Sequence, residues 1–160
     1  MASKLRLSGI VEESIVDGPG LRFVVFTQGC PHHCPGCHNP QTHSFTDGYL
    51  EDINHIFTLY QKNPLLSGVT FSGGEPFCQA GPLAELGHMI HELGGHVITY
   101  TGYLYEDLLQ MAENMPEIHE LLGVTDQLID GPYKEELRDL TLPFRGSSNQ
   151  RIITLSKSKK

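Results

Sequence analysis

The stretch around which this chain is organised is Gln28-Gly29-Cys30-Pro31-His32-His33-Cys34-Pro35-Gly36-Cys37-His38-Asn39. It holds three of the four cysteines, in the spacing C-x3-C-x2-C. Two prolines and a glycine exclude a regular helix or a central strand, because each proline removes a backbone donor and fixes φ. Three thiolates that converge on one point repel one another unless a cation or a disulfide absorbs their charge, and three is an odd number for disulfides. The segment is therefore predicted to be a loop that holds an inorganic site.

The cysteine spacing favours an iron–sulfur cluster with one open iron. A structural zinc site is closed by four ligands, usually two C-x2-C pairs or a Cys/His mixture, and this loop contains one such pair. A four-ligand cluster would need Cys78, far along the chain, which is interpreted instead as a buried or neutral thiol. A cluster held by Cys30, Cys34 and Cys37 leaves one iron free to bind a small molecule. Zinc with neighbouring imidazoles and a four-ligand cluster stay open as alternatives.

These residues also carry a resemblance. The C-x3-C-x2-C loop after a strand resembles the radical S-adenosylmethionine superfamily. The sequence VDGPGLR at 16–22 and the sequence CHNP at 37–40 are similar to the branch that activates glycyl radical enzymes. Most superfamily members carry an aromatic residue just before the third cysteine. Here Gly36 stands there, as in the anaerobic ribonucleotide reductase activating proteins.

The resemblance implies a set of site residues. Three cysteines, Cys30, Cys34 and Cys37, would hold a 4Fe–4S cluster, and S-adenosyl-L-methionine would chelate its fourth iron. The turn Gly73-Gly74-Glu75-Pro76 resembles the superfamily's GGE motif, which binds the methionine amino group, although a tight strand-to-helix turn explains its glycines equally well. The implied cofactor-binding residues are Gly36, Cys37, His38, Gly73, Gly74 and Glu75. No side chain is expected to act as a general acid or base.

Near the end of the chain, residues 130–133 and 142–151 are also similar to the anaerobic ribonucleotide reductase activating proteins. The resemblance therefore implies an activase. A reductant such as flavodoxin or ferredoxin would reduce the cluster. S-adenosylmethionine would be cleaved to methionine and a 5′-deoxyadenosyl radical, which would take a hydrogen from a glycine of the large catalytic subunit of the reductase. Alternatives are a pyruvate formate-lyase-type activase, a small-molecule radical enzyme, and a non-catalytic electron-transfer or zinc module.

Composition narrows the class of protein. A chain of 160 residues, 39% of them hydrophobic, is expected to form a single domain over residues 1–160. The net charge of −8 disfavours a nucleic-acid partner. No apolar run approaches membrane-spanning length, and the first residues lack a signal-peptide core. Reduced, metal-binding cysteines point to the cytoplasm.

Strand and helix patterns alternate along the chain. Strands are predicted at Leu21–Thr27, Gly68–Ser72, His96–Thr101, Gln127–Asp130 and Arg151–Leu155. Helices are predicted at Leu50–Lys62, Pro82–Leu93, Tyr105–Asn114 and Lys134–Leu140. This alternation predicts an α/β fold with a mostly parallel sheet, and the resemblance implies a single-domain partial (β/α) barrel. Ligands bind at the carboxyl ends of parallel strands. The cysteine loop and the segments at 73–75, 101–102 and 130–131 should therefore meet at one mouth.

Overall fold

A computed structural model describes residues 3–16, 18–32, 44–132, 134–137, 145 and 147–155. The strands are β1 (Lys4–Ser14), β2 (Arg22–Thr27), β3 (Tyr49–Asp52), β4 (Gly68–Gly73), β5 (His96–Tyr100), β6 (Gln127–Asp130) and β7 (Arg151–Thr154). The α-helices are α1 (Ile53–Gln61), α2 (Ala80–Glu92), α3 (Tyr105–Ala112) and α4 (Pro116–Val124). None of the helices in these ranges is long and apolar enough to cross a bilayer.

All seven strands belong to one sheet, in the order β3-β1-β2-β4-β5-β6-β7. The central strands β2, β4, β5 and β6 are parallel to one another. Antiparallel pairing joins β1 to β2, β3 to β1 and β7 to β6, so β1 and β7 are the two strands that oppose the rest. Over the described ranges β3 and β7 remain edge strands and the sheet does not close. The predicted α/β partial barrel with a mostly parallel sheet is confirmed.

The hydrophobic core lies between the sheet and the helices. Alternate residues of the parallel strands enter it, as the two-residue period of a strand requires; they are Phe23, Val25, Val69, Phe71, Val97 and Leu128. The buried faces of all four helices complete it, led by Ile56 of α1, Leu83 and Ile90 of α2, Leu108 of α3 and Leu121 of α4. The helices therefore cover one face of the sheet, which leaves the strand ends free to build a site.

The structure differs from the predicted elements at four places. The strand β1 was not among the predicted strands, although it pairs with both β2 and β3. Residues 49–52 form β3 rather than loop and helix start, because they pair with β1, and Asp52 caps α1 by accepting a bond from the Asn54 amide. The helix α4 was not predicted, since Pro116 was interpreted as a helix breaker, whereas it occupies the first turn, where its missing N–H costs nothing. The predicted helix at 134–140 shortens to a 3₁₀ turn over Glu135–Leu137, with residues 138–140 outside the described ranges.

The amino ends of the parallel strands are tied together by Arg22. Its guanidinium is buried, with the residue 1% exposed, and donates to the hydroxyl of Thr70 and to the carbonyls of Pro19, Val69 and His96 over 2.7–3.1 Å. Burial lowers the pKa of Arg22 to about 10. One cation thus holds together β2, β4, β5 and the loop before β2.

Candidate cofactor site

The site is organised where the cysteine loop leaves β2 and a turn leaves β4. These parallel strands pair up to Thr27 and Gly73, and their contact continues beyond the ladder. The Gly74 amide donates to the Thr27 carbonyl and the Glu75 amide donates to the Gly29 carbonyl, both over 2.8 Å. The segment that leads to Cys30 is therefore fixed against the turn that carries Glu75.

The two glycines of this turn are required by that close approach. Gly73 has a φ of +97°, and a Cβ there would overlap with the backbone of Thr27. A Cβ on Gly74 would overlap with the backbone of Gly29. The sequence interpretation was that glycines let the backbone approach a ligand. The structure supplies a reason within the chain itself, because the missing side chains bring the two main chains into contact.

Glu75 is the polar centre of the site. The residue is 0% exposed, and its carboxylate accepts four hydrogen bonds. Oε1 accepts from His32 Nε2 at 2.6 Å and from the Gly102 amide at 2.8 Å, while Oε2 accepts from the Thr101 hydroxyl at 2.7 Å and the Phe77 amide at 3.1 Å. A buried carboxylate is stable only when its lone pairs are satisfied in this way. Glu75 therefore joins the cysteine loop to the turns after β4 and β5.

His32 is the cysteine loop's contribution to this cluster. Its side chain is 16% exposed and stands edge-on to the Tyr103 ring, with the centroids 4.6 Å apart and the planes at 77°. A Cβ on Gly102 would overlap with the same imidazole. A carboxylate, a glycine backbone and an aromatic ring thus enclose the His32 side chain.

The two described thiols differ in their surroundings. Cys30 is buried, 8% exposed, at the start of the loop. Cys78 is exposed, yet desolvation by the surrounding protein, and then the charges of Glu75 and Cys30, raise the pKa of its thiol to about 11. Of the two interpretations given for Cys78, a buried or a neutral thiol, the first is wrong because the residue is exposed, and the direction of the pKa agrees with the second.

The remaining predicted site residues, Cys34, Gly36, Cys37 and His38, lie outside the described residues. Among the residues that the structure does describe, no group of three or more His, Cys, Asp and Glu side chains could hold a metal ion. Of the three proposed cysteine ligands, the structure describes Cys30. Its thiol is of the type that binds iron–sulfur clusters. It lies at the carboxyl ends of the strands, in the segment bonded to the turn of Glu75. Its chemistry and its place fit one ligand of a cluster bound at this mouth.

Sequence reasoning missed the role of His32 and left that of Thr101, Gly102 and Tyr103 undecided. It considered His32 as one of the imidazoles that kept zinc open. It interpreted the Thr101–Tyr103 segment as a turn or a nucleoside contact. The available signal was the position of these residues after two adjacent strands, which predicts that they meet but not that a carboxylate links them.

The chain is similar to a known protein family and to several named proteins. The model of the family described as "4Fe-4S single cluster domain" matches residues 16–153. A protein of Enterobacteria phage T4 is 32% identical over 144 residues, which span 86% of each chain. Proteins of Salmonella typhimurium and Escherichia coli K12 are 34% and 31% identical, over 85% of this chain and 90% of theirs. All three are named anaerobic ribonucleoside-triphosphate reductase-activating protein.

Among solved structures, QueE from Escherichia coli matches 62% of this chain and 52% of its own, with 16% identity and a TM-score of 0.48. That likeness is too weak to support a conclusion. The sequence relatives exceed 30% identity over most of both chains, and the family model covers most of this chain. This chain belongs to the family of anaerobic ribonucleoside-triphosphate reductase-activating proteins, as its cysteine loop and C-terminal segments predicted.

Proposed function

We propose that this protein activates anaerobic ribonucleoside-triphosphate reductase by generating a glycyl radical on its large catalytic subunit. The observation that carries the proposal is the backbone contact between the start of the cysteine loop and the Gly73–Glu75 turn, in a chain whose relatives bear the activating-protein name. A bound 4Fe–4S cluster would supply the electron that cleaves S-adenosyl-L-methionine to methionine and a 5′-deoxyadenosyl radical. A flavodoxin or ferredoxin is the proposed electron donor.

The chain's own residues bind and orient. Cys30, Cys34 and Cys37 are the proposed cluster ligands. The proposed cofactor-binding residues are Gly36, Cys37, His38, Gly73, Gly74 and Glu75. A carboxylate has about four lone-pair sites, and four internal donors already occupy those of Glu75. Toward the ammonium group of S-adenosyl-L-methionine, Glu75 would therefore provide a fixed negative charge on a rigid turn. It would not provide an additional hydrogen-bond acceptor, because its lone pairs are already used.

The proposed substrate is a protein, because the described sheet stays open. A closed (β/α)8 barrel has no edge strands, whereas β3 and β7 are edges of the sheet over the described ranges. An extended glycine segment of a partner could reach a mouth that is open at one side. Glycine suits such a reaction since it has no side chain to block the approach.

The test mixes reconstituted, reduced protein with S-adenosyl-L-methionine and the large reductase subunit under argon. We expect a glycyl radical doublet in the electron paramagnetic resonance spectrum of the reductase, and none with the variant Cys30→Ser. Pyruvate formate-lyase in place of the reductase distinguishes the nearest alternative. A signal only on pyruvate formate-lyase contradicts the partner, and a signal on neither contradicts the activase function.

A further inference from the structure

The contacts of His32 differ in kind from those of another histidine–glutamate pair in the chain. His88 and Glu120 lie on α2 and α4 with 3.4 Å between Nε2 and Oε1, and both side chains are more than half exposed. The corresponding His32–Glu75 distance is 2.6 Å, and the carboxylate is fully buried. An exposed pair contributes little, whereas a hydrogen bond to a buried charged group is among the strong ones in a protein.

The site also provides a fitted space for the imidazole. Gly102 leaves room for it, since a Cβ there would overlap with the ring. Tyr103 supplies an aromatic edge-to-face contact, which adds to the stability of the packing. Because Nε2 is engaged with Glu75, this nitrogen offers no lone pair to a metal ion. The hydrogen bond to Glu75 and the fitted space therefore hold the imidazole in one place and orientation, as an anchoring role requires.

We propose that His32 is a positioning residue, which anchors the cysteine loop to the turns after β4 and β5 through Glu75 and thereby sets the place of the Cys30 thiol. The inference rests on the proposed function, in that it gives the anchored thiol to a cluster. His32 lies two residues beyond Cys30, and the chain before Cys30 is held at Gly29 by the Glu75 amide. Both sides of the thiol are thus tied to the same residue, on one side by its backbone and on the other by its carboxylate.

A matched pair of variants separates the hydrogen bond from the packing. His32→Phe keeps a ring against Tyr103 and Gly102 but removes the donor. His32→Gln can place an amide N–H toward Glu75 without the ring. The substitutions His88→Phe and His88→Gln make the same chemical changes at the exposed pair and serve as controls. Far-UV circular dichroism and urea unfolding check folding, and His32→Leu replaces His32→Phe should the latter not fold.

The first measurement uses metal-free protein and does not depend on activity. Cys30 alkylation by iodoacetamide is followed at one pH by peptide mass spectrometry. Loss of a hydrogen bond to a charged group should raise the Cys30 rate about ten- to a hundredfold in His32→Phe. We expect His32→Gln to return the rate close to wild type and both His88 variants to leave it unchanged. Unchanged Cys30 protection in His32→Phe, or equal loss in the His88 variants, would overturn the anchor.

The second measurement records the electron paramagnetic resonance spectrum of the reduced, reconstituted protein with and without S-adenosyl-L-methionine. We expect His32→Phe to shift the signal and weaken its response to the cofactor, and His32→Gln to restore both. Equal behaviour of the two variants would show that the donor is not the cause. If wild type fails to activate the reductase while Cys30 protection depends on His32, the proposed function fails and the anchor stands. If wild type activates and Cys30 protection does not depend on His32, the anchor alone fails.

Discussion

Each end of the parallel strands has a buried charged residue that joins several segments, Arg22 at the amino ends and Glu75 at the carboxyl ends. At the amino ends, the guanidinium of Arg22 donates to three backbone carbonyls and one hydroxyl. At the carboxyl ends, the carboxylate of Glu75 accepts from two backbone amides, one hydroxyl and one imidazole. Both groups are almost completely buried, and each joins segments from several strands.

The signs of these two charges suit their places in the architecture. Helices that follow parallel strands point their N-termini toward the carboxyl ends of the strands, where the helix dipole favours an anion. Glu75 caps the 3₁₀ turn Pro76–Gln79 that leads into α2. At the other end the chain offers carbonyl acceptors, which a guanidinium with its five donors can satisfy.

The two ends differ in which segments supply the hydrogen-bond partners of the buried charge. The partners of Arg22 come from the strands and the loop before β2, so this end stabilises the fold. The partners of Glu75 include His32 from the cysteine loop, so this end also aligns a candidate site. Substitutions at the two charges should therefore both affect folding, but only those at Glu75 should affect the thiols.

The largest expected effect on stability is that of Arg22→Met. It removes four hydrogen bonds of a buried cation, and we expect the free energy of unfolding to fall by about 2–4 kcal/mol. Urea unfolding followed by circular dichroism measures it in metal-free protein. At urea concentrations below the unfolding transition, the rate of Cys30 alkylation and the iron uptake per folded chain should match those of wild type. A change in either while the protein is folded would mean that the two ends are coupled.

A smaller loss of stability, about 1–3 kcal/mol, is expected for Glu75→Gln. The amide cannot accept from all four donors, because its own N–H groups would face some of them. Here the site should change as well, with faster Cys30 alkylation and weaker binding of S-adenosyl-L-methionine by equilibrium dialysis. Wild-type behaviour of both, at equal stability, would remove Glu75 from the site.

A modest dependence of the free energy of unfolding on pH is expected from His96, which lies at the amino end of β5. Burial and the neighbouring Arg22 lower the pKa of His96 below its ordinary value, so near pH 6 the unfolded chain binds more protons than the folded one. The stabilisation is complete above the unfolded pKa and decreases as the pH falls below about 6.5. The stability advantage of wild type over His96→Gln should therefore shrink between pH 7.5 and pH 5 in urea titrations. An advantage that grew on acidification would contradict the direction.

The smallest effect, no loss of iron, is expected for Cys78→Ser after anaerobic reconstitution. Cys30, Cys34 and Cys37 lie close together in sequence, whereas Cys78 lies far beyond them. Burial and the charges of Glu75 and Cys30, which raise the pKa of the Cys78 thiol to about 11, agree with a neutral thiol in the metal-free protein. Cys30→Ser is the matched comparison and should lose the cluster, as judged by iron and sulfide content. Equal iron loss in both variants would make Cys78 a ligand and remove the open iron.

Much of the fold could be predicted from local patterns. The strand Gln127–Asp130 was predicted with its observed bounds, since a short apolar run between polar segments has few other interpretations. The edge strand β3 could not be predicted, because Tyr49–Asp52 is a strand only through pairing with β1. The helix α4 was missed because Pro116 is compatible with both an end and a beginning of a helix.

The site was predictable by position and not by contact. The rule that ligand sites lie at the carboxyl ends of parallel strands brought the cysteine loop, the turn at 73–75 and Thr101-Gly102 to one mouth. The partners of Glu75 depend on side-chain directions in loops, which no periodicity encodes. The hydrogen bond from His32 to Glu75 is therefore visible only in the three-dimensional structure.

The most direct test of the proposed chemistry is the formation of 5′-deoxyadenosine. Reconstituted protein is incubated anaerobically with dithionite and S-adenosyl-L-methionine, and the products are quantified by liquid chromatography. We expect 5′-deoxyadenosine and methionine in equal amounts from wild type and from folded Arg22→Met, and neither from Cys30→Ser. Reduced, iron-loaded wild-type protein that binds the cofactor and releases no 5′-deoxyadenosine would contradict the proposal that this mouth cleaves S-adenosyl-L-methionine.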